Sequence, residues 1–138
     1  MIKSNTKVIL VVDDDPIVKR FIGDIAKKVF GYVPIGVSTY KDAIDVSQTR
    51  KPGLIFFDEN LADGTGKQFC IEMSKKPELR SIHKWLVTGA KPLSWDTEEW
   101  SSFGVRGCLV KPVGVNLLIS TIRDAVCPKK EAGNAFTI

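Results

Sequence analysis

The sequence predicts an α/β fold, in which five parallel strands form a doubly wound sheet with five helices and the strand order 2-1-3-4-5. Apolar runs of strand length alternate five times with helical patterns, and right-handed crossovers then place helices on both faces of one sheet. Four of these runs stop at polar residues, as expected where buried parallel strands end at a site. We expect one domain over residues 7–127, between a lead-in of residues 1–6 and a flexible tail of residues 128–138.

The first strand and helix have clear boundaries. The apolar run Val8–Val12 is typical of a buried parallel strand. Pro16 favours the first turn of a helix, and Gly31 marks its end. Between them, apolar residues recur at helical spacing and predict one buried face. That face comprises Val18, Phe21, Ile22, Ile25 and Val29.

The second and third strands are predicted at Val33–Val37 and Leu54–Phe57. Ser38 or Thr39 caps the helix between them, because a side-chain oxygen there can accept from the first free backbone N–H groups. Residues 59–66 are polar and rich in glycine, so we expect a loop above the sheet edge.

The remaining elements repeat this plan. Pro77 marks the end of the third helix. The fourth strand runs up to Thr88, and Ser94 caps a short fourth helix. The fifth strand stops before Lys111 and leads to a last helix with apolar residues at helical spacing, which Pro128 ends.

Composition narrows the possible functions. The net charge is +4, but the basic residues are spread along the chain as pairs, which is typical of solvated helix faces and not of a nucleic-acid-binding stripe. Three widely spaced cysteines and a single histidine indicate neither a zinc site nor a disulfide framework. The apolar run near the N-terminus is too short for a signal peptide or a membrane span. We therefore expect a cytoplasmic protein without a direct nucleic-acid or membrane partner.

Polar residues follow four of the predicted strands. They are Asp13 and Asp14 after the first, Asp58 after the third, Thr88 at the end of the fourth, and Lys111 with Pro112 after the fifth. Carboxylates, a hydroxyl and a lysine at one sheet edge indicate a site for a divalent cation and a phosphoryl group. Asp58 can accept a phosphoryl group as an acyl phosphate. The neighbouring carboxylates would favour its protonated form, and Mg²⁺ would relieve that conflict.

These four motifs, in this order, resemble the receiver domain of two-component response regulators over about residues 7–127. The resemblance implies the flavodoxin-like fold and a phosphoryl group transferred to Asp58 from a sensor histidine kinase or a histidine phosphotransfer protein. It also implies an Mg²⁺ site. Its ligands would be Asp14 and Asp58, Asp13 largely through a water, and the backbone carbonyl of Asn60.

The resemblance further assigns the switch and the output. Lys111 would balance the phosphoryl charge, aimed inward by a cis peptide bond before Pro112, and Thr88 would swing to a phosphoryl oxygen. The face formed by the fourth helix, fifth strand and fifth helix would bind a downstream protein or domain, or a second copy of the chain. Trp95 and Trp100 suggest a partner-binding patch in or near that fourth helix.

Two positions depart from the family pattern. Cys108 stands where an aromatic residue or histidine is common, three residues before the lysine, so we expect signalling to depend more on the loop at 89–93 and the fourth helix. Ala62 stands where proline is frequent in the loop after the acceptor.

Two other functions stay open at this point. A phosphatase of the haloacid dehalogenase type would use Asp13 as nucleophile and Asp15 as acid, with Thr88 and Lys111 as later motifs, but it leaves Asp58 without a role. A receiver-like interaction module that is never phosphorylated would share the fold without the chemistry.

Overall fold

The computed structural model describes residues 7–90 and 95–127. The strands are β1 (Val8–Val12), β2 (Val33–Val37), β3 (Leu54–Phe57), β4 (Asn60–Leu61), β5 (Gly64–Thr65), β6 (His83–Thr88) and β7 (Val105–Val110). The helices are α1 (Pro16–Phe30), α2 (Tyr40–Arg50), α3 (Gly66–Ser74), α4 (Pro77–Arg80), α5 (Thr97–Ser102) and α6 (Val115–Val126).

Five strands form one parallel sheet in the order β2-β1-β3-β6-β7. Counted along the chain without the short strands β4 and β5, this is the predicted order 2-1-3-4-5, so the fold class is confirmed. β4 and β5 pair with each other as an antiparallel hairpin inside the segment predicted to be a loop.

The prediction of five helices is wrong, because the described residues form six. Pro77 does not mark the end of the third helix, which stops at Ser74, but begins the four-residue α4. Proline suits that first helical position, where its missing N–H leaves no helical hydrogen bond unmade.

The sheet separates two apolar layers, because successive strand residues point to opposite faces. In β1, Ile9 and Val11 pack with α1 and α6, whereas Leu10 and Val12 pack with α2, α3 and α5. Both central strands, β1 and β3, are buried along their whole length. Val29 lies outside this packing and is 49% exposed, so its assignment to the buried face of the first helix is wrong.

Helix caps agree with the sequence where they are described. Asp15 caps α1, since its Oδ1 accepts from the N–H of Ile17 at 2.9 Å, and Gly31 ends α1 at φ 70°. Thr39, and not Ser38, caps α2. The predicted cap at Ser94, most of the loop at 89–93, the stop at Pro128, the lead-in and the tail lie outside the described residues. None of the described helices is long and apolar enough to span a membrane.

The side chain of Lys84 is fully buried near the start of β6. Its Nζ donates to the carbonyl oxygens of Leu79 (3.1 Å), Arg80 (3.0 Å), Ile82 (2.9 Å) and Phe103 (2.7 Å). The ammonium therefore joins the end of α4 and the turn after it to the end of α5. Buried charge is tolerated when hydrogen bonds replace water around it.

Replacing Lys84 with methionine keeps the apolar stem and removes the ammonium. Buried carbonyl oxygens then lose their shared donor, and we expect the free energy of unfolding to fall by about 3 kcal/mol. Urea titration followed by tryptophan fluorescence measures the change. Lys28→Met, an exposed position in α1, is the control and should change it by less than about 0.5 kcal/mol. Equal stability of Lys84→Met and the parent protein would contradict this role.

Candidate functional site

The carboxyl-terminal edge of the sheet brings four predicted residues to neighbouring positions. Asp13 follows β1, Asp58 follows the adjacent β3, Thr88 ends β6 and Lys111 follows β7. Backbone hydrogen bonds extend the sheet to these residues, as the N–H of Asp58 donates to the carbonyl of Val12 at 2.9 Å and that of Lys111 to Thr88 at 2.8 Å. The site therefore rests on paired strand ends and not on free loops.

Lys111 lies between two buried carboxylates. Its Nζ is 3.1 Å from Oδ2 of Asp13 and 3.1 Å from Oδ2 of Asp58. The side chain of Asp13 is only 2% exposed and that of Asp58 11%, so water screens these charges weakly. The peptide bond between Lys111 and Pro112 is cis, as the resemblance implies.

The remaining carboxylate oxygens of this pair accept hydrogen bonds from backbone N–H groups. Oδ1 of Asp13 accepts from Asp15 at 2.9 Å, and Oδ1 of Asp58 accepts from Glu59 at 2.7 Å. Burial raises the pKa of Asp13 despite that hydrogen bond and the nearby Lys111. Burial lowers the pKa of Lys111, but the two carboxylates outweigh it, so that the pKa lies above its ordinary value.

Three carboxylates could hold a metal ion here. One oxygen each of Asp13, Asp14 and Asp58 lies within 4.8 Å of the others. Oδ2 of Asp13 is buried, and beyond its ion pair with Lys111 it makes no hydrogen bond to any residue that the structure describes. This hard oxygen set fits Mg²⁺, which binds through one or two carboxylates and keeps several waters. Asn60 lies two residues after Asp58, at the start of the β4–β5 hairpin, and its role as a ligand stays a prediction.

Glu59 is a site residue that sequence reasoning missed. Its Oε1 accepts a hydrogen bond from the Oγ1 of Thr88 at 3.3 Å, and the Thr88 side chain is otherwise buried. Glu59 lies in the connection between β3 and the hairpin, where no periodicity tells which way a side chain points. Its place next to Asp58 in the sequence was the only available signal.

Other residues singled out from the sequence have structural positions. Asp15 is engaged as the cap of α1. Cys108 is half-buried and packs with the core layer that includes Leu86. Trp100 is 6% exposed and stacks on Trp95, with ring centroids 5.2 Å apart. Trp100 therefore belongs to the core, and the hypothesis that it forms a partner patch is wrong.

The sequence model of the response regulator receiver domain matches residues 9–123. The chain belongs to this family. This receiver domain is 27% identical to the polar-differentiation response regulator DivK of Brucella ovis over 119 residues, which are 86% of the chain and 95% of the relative. DivK of Brucella anthropi is 26% identical.

Solved receiver structures share the fold. The signal receiver domain of a LuxO repressor protein from Vibrio parahaemolyticus superposes with a TM-score of 0.78 at 19% identity, covering 94% of this chain and 97% of that one. Chemotaxis response regulator CheY4 of Vibrio cholerae gives 0.76 at 20% identity, with 88% and 99% covered. The family match decides against a haloacid dehalogenase phosphatase, whose acid would be the already engaged Asp15.

Replacing Lys111 with methionine should raise the pKa of Asp13 further, because Lys111 lowers it in the parent protein. The folded protein would then hold this proton to higher pH than the unfolded chain. The free energy of unfolding should therefore fall more steeply as pH rises from the ordinary value of 3.8 through the raised pKa. Carbon-13 NMR of the aspartate carboxyl groups in metal-free protein measures the titration.

The matched control for this titration is Lys67→Met, which breaks the exposed ion pair of Lys67 and Glu99 at 2.9 Å. It should leave the titration of Asp13 unchanged. An Asp13 pKa that is the same in Lys111→Met and in the parent would show that the ammonium does not act on this carboxylate.

Proposed function

We propose that this receiver domain is the phosphoacceptor switch of a two-component phosphorelay in the cytoplasm. Asp58 receives a phosphoryl group from the phosphohistidine of a sensor kinase or a histidine phosphotransfer protein, with Mg²⁺ as cofactor, and the domain then changes its partner-binding surface. It acts as a signalling domain, with at most self-phosphorylation and autodephosphorylation of its own. The observation that carries the proposal is the buried Asp58 carboxylate held 3.1 Å from the ammonium of Lys111.

The proposed transfer begins with the Asp58 carboxylate. One of its oxygens forms a bond to phosphorus as the bond from phosphorus to the histidine nitrogen breaks, and the electron pair of that bond leaves with the imidazole. Asp13, Asp14, Asp58 and the carbonyl of Asn60 would hold Mg²⁺, which supplies positive charge for the carboxylates and the phosphoryl oxygens. Lys111 supplies a further positive charge, since its ammonium already lies at Asp58.

Thr88 and Glu59 supply the response to phosphorylation. The Thr88 hydroxyl donates to the carboxylate of Glu59, and a phosphoryl group on Asp58 would offer it a competing anionic acceptor. Glu59 follows Asp58 directly and would be repelled by the same group. When the Thr88 hydroxyl exchanges the Glu59 carboxylate for the phosphoryl oxygen as its hydrogen-bond acceptor, the side chain at the end of β6 moves.

Exposed apolar residues support the proposed protein partners. Ile17 is 75% exposed at the start of α1, beside a cavity that Lys111 and Pro112 also line. A protein donor must cover this rim to bring its phosphohistidine to Asp58. Val110 of β7 and Leu117 of α6 are also exposed, at 48% and 53%, which supports an output face for a downstream protein or a second copy.

Incubation with Mg²⁺ and acetyl phosphate, followed by intact-mass measurement, tests the proposal. The parent protein should gain one phosphoryl group. Asp58→Asn should gain none, because an amide cannot form the acyl phosphate. Asp15→Asn is the matched control and should still be phosphorylated, since an asparagine cap serves α1 as well.

Two results would contradict the proposal. A phosphoryl adduct that persists in Asp58→Asn would place the acceptor elsewhere. Absence of an adduct on the folded parent protein, from acetyl phosphate and from phosphohistidine donors alike, would identify a receiver-like interaction module that is never phosphorylated.

A further inference from the structure

A second polar cavity lies away from Asp58, at the end of the sheet where β6 and β7 begin. Its volume is about 320 Å³. It is formed where the turn after α4 meets the end of α5 and the start of β7. The lining residues are Arg80, Ser81, Ser101, Ser102, Gly104 and Arg106. This lining contains two guanidinium groups, three hydroxyl groups and no carboxylate.

The two arginines are not neutralised by acidic neighbours. Neither Arg80 nor Arg106 forms an ion pair within the described ranges, although other basic side chains do. Lys67 pairs with Glu99, and Lys75 pairs with Glu72. The positive charge at the cavity is thus available to an external anion.

Backbone carbonyl groups near the cavity direct their oxygens toward the buried ammonium of Lys84. The carbonyl oxygens of Arg80, Ile82 and Phe103 accept from the buried ammonium of Lys84. Carbonyl oxygens that would repel an anion are therefore engaged beneath the cavity. Gly104 allows this close approach, because its φ is +83° and an added Cβ would meet the Arg80 and Ile82 oxygens at 2.6 Å.

Together with burial, the positive charge of Arg106 lowers the pKa values of the neighbouring His83 and Lys84. Burial, followed by the charges of Arg106 and Lys84, lowers the pKa of His83 to about 4. The pKa of Lys84 is lowered to about 8, mainly by burial, which Cys70 opposes and the charge of Arg106 reinforces. An anion beside Arg106 would relieve this repulsion.

We propose that this cavity binds a phosphoryl group, carried by inorganic phosphate or by a small phosphomonoester. Guanidinium forks match tetrahedral oxyanions through paired hydrogen bonds. The hydroxyl of Ser101, which has no partner among the residues described, supplies a further donor. The volume is at the lower end for ligand cavities, which suits a phosphate with a short organic group. The site is independent of phosphorylation at Asp58.

The test is a titration of the 138-residue chain with inorganic phosphate and, separately, with glycerol 3-phosphate, followed by nitrogen-15 NMR. A magnesium-free buffer with a chelator, at constant ionic strength, prevents metal-dependent phosphate binding at the acidic site. The titration is repeated in the Asp58→Asn variant. We expect saturable shifts of the Gly104 and Arg106 amides, with a dissociation constant on the order of 1 mM. Arg80→Gln and Arg106→Gln should each weaken binding about tenfold.

Arg20→Gln is the matched control, an exposed arginine in α1 whose acidic neighbour Asp24 lies 4.0 Å away. It should bind phosphate like the parent. Equal affinities for the two ligands would show that the phosphate group alone is sufficient for binding. Tighter binding of glycerol 3-phosphate would show that the cavity also contacts the glycerol group. Shifts that do not saturate, unchanged affinity in the two arginine variants, or preferential binding of a polyglutamate peptide would overturn the proposal.

Discussion

The ion pair of Lys111 with Asp13 and Asp58 is the interaction on which the site depends. Two carboxylates buried side by side repel each other, and each loses hydration that only a nearby cation or hydrogen bond can replace. Lys111 reaches both at 3.1 Å because β7 ends at the same sheet edge as β1 and β3. The sheet thus supplies the geometry, and the lysine makes the accumulated negative charge compatible with a folded site.

The parallel sheet and its strand ends could be predicted because burial on both faces leaves a simple pattern. β1 and β3 are continuous apolar runs, and the polar residue that follows each must lie at the carboxyl-terminal edge. The positions of Asp13 and Asp58 follow from that rule, and Thr88 and Lys111 lie at the ends of shorter apolar runs in β6 and β7. The sequence does not show, however, that Lys111 pairs with both Asp13 and Asp58, because this depends on the three-dimensional arrangement of the side chains.

Sequence reasoning missed features for which the local sequence fits more than one structure or gives no pattern at all. Proline is found both after a helix and at its first position, so Pro77 was assigned to the wrong role. Lys84 has a strand-like context but a charged side chain, and only the carbonyl oxygens that converge on it explain its burial. Glu59 reaches Thr88 from an irregular segment. Such contacts depend on tertiary approach and leave no period in the sequence.

The site and the core are joined through aromatic packing. Phe57, which precedes Asp58, lies against Trp100 with ring centroids 6.3 Å apart, and Trp100 stacks in turn on Trp95. Cys108 on β7 packs against the same core layer. The contact of Phe57 with Trp100 therefore connects the residue before Asp58 to α5.

Mg²⁺ affinity in the parent protein and in Lys111→Met, measured by isothermal titration at pH 8, tests this account most directly. If the ammonium and the metal ion draw on the same carboxylates of Asp13 and Asp58, removal of the ammonium leaves a more negative site, and Mg²⁺ should bind about tenfold more tightly. Unchanged or weaker binding in a folded Lys111→Met protein would contradict the claim that Lys111 balances the charge of the carboxylates proposed to bind the metal ion.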